Sequence, residues 1–147
     1  MKNSQMKLPT ILWADDDLDD IAIMRDVMLG IDNNHEIIEV DNGRKVLDYL
    51  QEAKQENQFP CLIVLDMNMP ILSGRDTLAI LKNNPDFKDI PIVIFTTSNS
   101  NLDRLFCNRY GVEMITKPVT YAALKDTIQK LLSFCNTPQG SNSYSGY

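Results

Sequence analysis

No run of apolar residues in this 147-residue chain approaches the roughly 18 that a membrane-crossing helix needs. The N-terminal MKNSQMK carries two lysines, but the apolar run behind it is only ILWA, too short for a secretory signal. Basic residues are also scarce. Fourteen Lys and Arg stand against twenty Asp and Glu, and the net charge of −6 excludes direct nucleic-acid binding, which needs clustered cations. Cysteine is sparse as well. Cys61, Cys107 and Cys135 are odd in number and far apart, with no CxxC or Cys/His spacing. They are expected to be free, mostly buried thiols in a reducing compartment, forming neither a disulfide framework nor a zinc site. A soluble, cytoplasmic chain is the expectation, with no membrane contact.

What the chain does have is apolar material, at 44%, and a length that suits one domain. Strand-length apolar runs alternate with segments of helical period. TILWA (10–14), HEIIEV (35–40), CLIVLD (61–66), IPIVIFTT (90–97) and VEMIT (112–116) read as strands. The third and fourth are apolar nearly throughout, as strands covered on both faces should be. Between them lie helical patterns. The first, 18–29, places Ile21, Met24 and Met28 on one side and is expected to stop at Gly30. Asn42 and Gly43 turn into a second helix carrying Val46, Leu47 and Leu50. Ser73 is a candidate N-cap for a helix over 74–83, and a weaker one spans 100–109 up to Gly111. The last, 120–134, aligns Leu124, Ile128 and Leu131 behind a Thr120 cap. Five strands alternating with five helices predict a doubly wound α/β fold, (βα)5, with a parallel sheet. The domain is expected to occupy 8–135, between a flexible N-terminus (1–7) and a polar, disordered tail (136–147).

In such sheets ligands bind at the carboxyl ends of the strands. Here those ends are polar. Asp15 and Asp16 follow the first strand, Asp66 closes the third, Thr96 and Thr97 close the fourth, and Lys117-Pro118 follow the fifth. Two carboxylates about 5 Å apart cost each other on the order of 3 kcal/mol at an effective dielectric near 20, so three need a cation between them. A hard divalent ion with oxygen ligands suits the set, and Mg²⁺ is the natural candidate. Lys117 supplies a second positive charge that an incoming anion can use. Asp17, Asp19 and Asp20 read as cap and first-turn acids of the first helix. Trp13 reads as core. His35, the one histidine, stands before the second strand and is expected on the surface.

The acidic pair in ILWADD, the LDMNMPILSG segment, the strand ending IVIFTTS, and ITKP stand in one order, each at a strand end. Together they resemble a receiver domain of a two-component response regulator of the CheY-like family, over about 8–134. The segment TLAILKNNPDFKDIPIVIFTTS also resembles stand-alone receivers associated with phytochrome-type kinases. The resemblance implies a flavodoxin-like strand order 2-1-3-4-5 and Asp66 as phospho-acceptor. It implies Mg²⁺ held by Asp15, Asp16, Asp66 and the main-chain carbonyl of Asn68, with Thr96 and Lys117 contacting phosphoryl oxygens. The donor implied is a phosphohistidine on a sensor histidine kinase or a histidine phosphotransfer protein. The chain would catalyse its own phosphorylation and dephosphorylation without being an enzyme in the usual sense. Residues of about 100–130 would form the changed surface, for a downstream protein or a second copy of the chain.

One position departs from the family pattern. Met114 stands three residues before the lysine, where many receivers carry Tyr or Phe, and a thioether lacks the aromatic's fixed in-or-out geometry. Asn68 and Ser98, both small and polar, flank the path of an attacking water. A haloacid dehalogenase-type phosphatase would need a second Asp where Asn68 stands. A receiver-fold interaction module working without phosphorylation is the other alternative, and its signature would be loss of a member of the cluster.

Overall fold

The computed structural model describes residues 8–135. Its elements run β1 (Thr10–Ala14), α1 (Leu18–Ile31), β2 (Glu36–Val40), α2 (Gly43–Glu56), β3 (Leu62–Leu65), α3 (Gly74–Lys82), β4 (Ile92–Thr96), α4 (Asn101–Arg109), β5 (Glu113–Thr116) and α5 (Tyr121–Cys135). The five strands form one parallel sheet in the order β2-β1-β3-β4-β5. The doubly wound (βα)5 fold and its strand order are as expected from the sequence. The expectations for 1–7 and 136–147 fall outside the described residues.

The sheet is covered on both faces, and the side-chain alternation sorts which residue goes where. Ile11, Trp13, Leu62, Val64, Val93 and Phe95 meet Ile21, Met24 and Met28 of α1 and Leu124, Ile128 and Leu131 of α5. Leu12, Ile63, Leu65, Ile92 and Ile94 meet Val46 and Leu50 of α2, Leu78 and Leu81 of α3, and Cys107 of α4. Fully burying such a side chain contributes about 1.5–3 kcal/mol, so the two layers hold the frame on which the loops are carried. Trp13 is core, set edge-on against Phe95 at 5.8 Å between ring centroids.

The helices start where the sequence places caps. Asn42, Ser73 and Ser100 each accept, at a side-chain oxygen, the backbone N–H three residues on. Thr120 Oγ1 accepts from Ala123 N–H in the same way at α5. Asp17 is the N-cap of α1, as read, and accepts from Asp20 N–H. The expected stop at Gly30 is corrected. The helix runs through Gly30 to Ile31 and ends at Asp32, whose N–H bonds the Met28 carbonyl. Gly30 has no positive φ, so nothing about its backbone makes it a terminator.

Two further expectations are corrected. The His35 side chain is 4% exposed rather than on the surface. Cys61 and Cys135 are not two separate free thiols. Across 74 residues they meet as a disulfide pair with Cα atoms 4.9 Å apart, which is inside the range that such a bond needs. Cys107 is a free, buried thiol as expected, its pKa raised by burial. Among the described residues, no helix is long and apolar enough to cross a membrane.

Candidate functional site

Strand order brings the polar strand ends together. β1 and β3 are neighbours, and the helices that follow them, α1 and α3, pack on opposite faces of the sheet, which opens a crevice at the carboxyl ends of β1 and β3. Ala14 pairs with Leu65, so Asp15 and Asp66 emerge side by side, and Asp66 N–H bonds the Ala14 carbonyl at 3.0 Å. Thr96 pairs with Thr116, and Lys117 N–H bonds the Thr96 carbonyl at 2.8 Å. Asp15, Asp66, Thr96 and Lys117 are thus set by sheet register.

The cluster is buried at its base and open at its rim. Asp15 is 1% exposed, Asp66 8% and Thr96 0%, whereas Asp16 and Asn68 are exposed. Lys117 Nζ donates to Asp15 Oδ2 at 2.6 Å and to Asp20 Oδ2 at 2.9 Å, and lies 3.6 Å from Asp66 Oδ2. Thr96 Oγ1 accepts from Ser98 N–H at 3.2 Å. One carboxylate oxygen from each of Asp15, Asp16 and Asp66 lies within 4.8 Å of the others. That oxygen-only, three-carboxylate set fits a hard divalent cation. Of the six residues expected at the site, Asp15, Asp16, Asp66, Thr96 and Lys117 are gathered around the crevice, while Asn68 sits two residues past Asp66 in the β3–α3 loop.

The electrostatics reflect crowding. Burial, reinforced by the charge on Asp66, pushes the Asp15 carboxyl up to about 6, although it accepts from Lys117 and from the N–H of Asp17. Burial also works against the Lys117 ammonium. Its hydrogen bonds to Asp15 and Asp20, with the charges of Asp66 and Asp15, outweigh that and hold its pKa above the ordinary lysine value. One ammonium therefore faces several carboxylates, and the site is short of positive charge.

Asp20 is the residue that the sequence reading missed. It reads as a first-turn acid, yet one turn into α1 its carboxylate reaches back to Lys117, 97 residues away. The local signal was only its place in that turn. A second chain of contacts was also unread. Ser98 Oγ donates to Asp103 Oδ2 at 2.6 Å, Arg75 Nη2 donates to Asp103 Oδ1 at 2.8 Å, and the Arg75 guanidinium lies 4.3 Å above the Phe106 ring. The Ser98 hydroxyl and the Arg75 charge hold the Asp103 carboxyl below its usual range against some burial. Thr96 is thereby wired through Ser98 to α4.

Gly74, the first residue of α3, lets that helix pack closely on the backbone of Asp66 and Met67. A Cβ there would lie 1.9 Å from the Asp66 carbonyl oxygen and 2.9 Å from Met67 Cα, both backbone atoms that cannot swing aside. Gly74→Ala is expected to cost about 1–3 kcal/mol or more through overpacking and to shift Asp66. A urea midpoint unchanged from wild type would show that the loop relaxes freely.

The family of response regulator receiver domains matches residues 11–129. Response regulator Rcp1 of Synechocystis sp. is 38% identical over 127 residues, 84% of this chain and 86% of that protein. The solved Mn(2+)-bound form of Rcp1 aligns with a TM-score of 0.76 at 33% identity, covering 89% of this chain and 97% of that one. The phosphorylated cyanobacterial phytochrome response regulator RcpA aligns with a TM-score of 0.78 at 28% identity, covering 86% and 93%. With the acidic crevice lying at the carboxyl ends of β1 and β3, and with likeness of this extent, the chain belongs to the receiver domains of two-component response regulators.

Proposed function

We propose that Asp66 accepts a phosphoryl group from a phosphohistidine, on a sensor histidine kinase or a histidine phosphotransfer protein, and that this changes the surface around α4, β5 and α5. The observation that carries the reading is the Lys117 ammonium 3.6 Å from Asp66 Oδ2, beside two further aspartates at one crevice. An Asp66 oxygen attacks phosphorus, the phosphorus–nitrogen bond breaks, and the imidazole leaves with its electron pair and takes a proton. The Asp66 oxygens keep an acyl phosphate. Asp15, Asp16, Asp66 and the Asn68 carbonyl would hold Mg²⁺, which supplies neutralising charge for the phosphoryl oxygens. Lys117 pairs with one such oxygen and exchanges part of its contact with Asp15 for it. Water attack on the acyl phosphate later resets the domain, so the chain acts on its own phosphoryl group only. The reading places it in the cytoplasm, and the likeness to the phytochrome response regulator RcpA supports a phytochrome-type kinase as donor.

The coupling runs from Thr96. Its hydroxyl turns to bond a phosphoryl oxygen and ceases to accept from Ser98 N–H, which loosens the Ser98–Asp103–Arg75 contacts at the start of α4. Three new acceptor oxygens and added negative charge supply the drive. The apolar side chains Leu102, Leu105, Val119 and Tyr121 stand exposed on the affected face and suit a downstream protein or a second copy. Met114, half-buried against the α4 side of the core, would repack without a single defined rotamer switch.

Intact-mass measurement with acetyl phosphate and Mg²⁺ tests the reading. One phosphoryl adduct is expected, dependent on the cation, with a change in Trp13 fluorescence accompanying it. No adduct under any donor would leave the phosphorylation-independent interaction module as the better account.

A further inference from the structure

The amino ends of the strands, opposite the aspartate crevice, hold a second group of ligand-type side chains. His35 immediately precedes β2, Cys61 immediately precedes β3, and Cys135 is the last residue of α5. One donor atom from each lies within 4.8 Å of the others. The His35 side chain is 4% exposed, and neither of its ring nitrogens has a hydrogen-bond partner among the described residues. Asp32, at the end of α1, brings Oδ2 to 3.4 Å from His35 Nδ1, close enough to orient the ring but not aligned as a hydrogen bond. A buried imidazole without a partner, aimed at two sulfurs, is the arrangement of a ligand rather than of a core histidine.

We propose that, with Cys61 and Cys135 reduced, this trio binds a thiophilic divalent cation of the Zn²⁺ class. Both sulfurs and one imidazole nitrogen give a soft, mixed donor set, unlike the oxygen-only set at Asp66. Tetrahedral Zn²⁺ with metal–ligand distances of about 2.0–2.3 Å sets its donors roughly 3.3–3.8 Å apart, so after reduction the two sulfurs separate by shifts of about 1 Å each to take the ion between them and the imidazole. Asp32 beside Nδ1 leaves Nε2 for the ion, as a carboxylate orients an imidazole ligand elsewhere. Two thiols bind as thiolates, so uptake of one ion releases two protons, and the reduced Cys61 gives up the S–H donation that its sulfur, 3.4 Å from the Thr10 carbonyl oxygen, is placed to make. The disulfide state has no thiolate to offer, so ion and disulfide exclude each other. Either bond would pin the end of α5 to the amino end of β3, the opposite end of that strand from Asp66.

The test is titration of the full chain, reduced with a phosphine and stripped of metal, with Co²⁺ under anaerobic conditions, followed by Zn²⁺. One equivalent of Co²⁺ is expected to bring in thiolate-to-cobalt absorption and tetrahedral visible bands, both lost on adding Zn²⁺. Carboxylate-bound Co²⁺ at the aspartate crevice gives no thiolate band, so that site cannot imitate the result. His35→Gln should weaken Co²⁺ binding by about tenfold or more, and Cys135→Ser should remove much of the thiolate band. Cys135 is the final residue of its helix, so this second variant remains informative if His35→Gln misfolds. Absence of a thiolate band in the reduced chain overturns the proposal. So does unchanged affinity in folded His35→Gln, and so does a chain that stays two hydrogens lighter under reductant and takes up no metal, for then the pair is a structural disulfide only.

Discussion

Asp66→Asn is expected to abolish phosphoryl uptake from acetyl phosphate, taking the intact-mass adduct from a readily detected species to none. The amide keeps the shape of the carboxylate but has no anionic oxygen to attack phosphorus. The loss should not arise from unfolding. Asp66 is one of three carboxylates around a single ammonium, with Asp16 beside it as well, and two carboxylates about 5 Å apart repel by roughly 3 kcal/mol at an effective dielectric near 20. Removing one charge therefore raises the melting temperature of the metal-free chain while weakening its affinity for Mg²⁺. A variant that keeps the adduct would move the acceptor to another aspartate, and a variant that melts lower without metal would contradict the crowding account.

The same crowding explains what could be read along the chain. An apolar run that breaks off in a polar residue marks a strand end locally, so Asp15, Asp66, Thr96 and Lys117 were legible before the strands were assembled. The sheet order then only had to place those ends side by side. Asp20 was not legible, because its role depends on a lysine 97 residues away and its own surroundings match any first-turn acid. The helix end at Asp32 was hidden for a related reason. Gly30 carries the usual stop signal, but Ile31 packs against the core and one more residue of helix outweighs it. His35 and the Cys61–Cys135 pair were misread because the amino ends of the strands are covered where the end of α5 returns to the start of β3, and no short-range pattern encodes that return. Short-range chemistry thus exposed the site built on strand ends and concealed the contacts that join distant segments.

Lys117→Met tests the balance of charge most severely. The ammonium lies 2.6, 2.9 and 3.6 Å from oxygens of Asp15, Asp20 and Asp66, and its side chain is 9% exposed. Replacing it leaves Asp15, 1% exposed, as an unpaired buried charge, a change that costs about 3–5 kcal/mol. The cost depends on pH with a definite sign. Asp15 already sits at about 6 in the folded chain against 3.8 as its reference, and loss of the lysine moves it higher. Between the reference and the folded value the native state binds the extra proton, so stability falls as pH rises, by up to about 1.4 kcal/mol per unit. Lys117 itself, raised above 10.5, adds no slope in this range, because its stabilisation is complete below that value and is lost only at more alkaline pH. The metal-free variant should therefore lie nearest to wild type at pH 5 and furthest from it at pH 8, and Mg²⁺ should restore part of the difference at pH 8. Denaturant midpoints at the two pH values, with chelator or with Mg²⁺, measure both effects. An equal loss at both, untouched by Mg²⁺, would mean that Lys117 matters for the packing of its aliphatic stem and not for the charge it places among the aspartates.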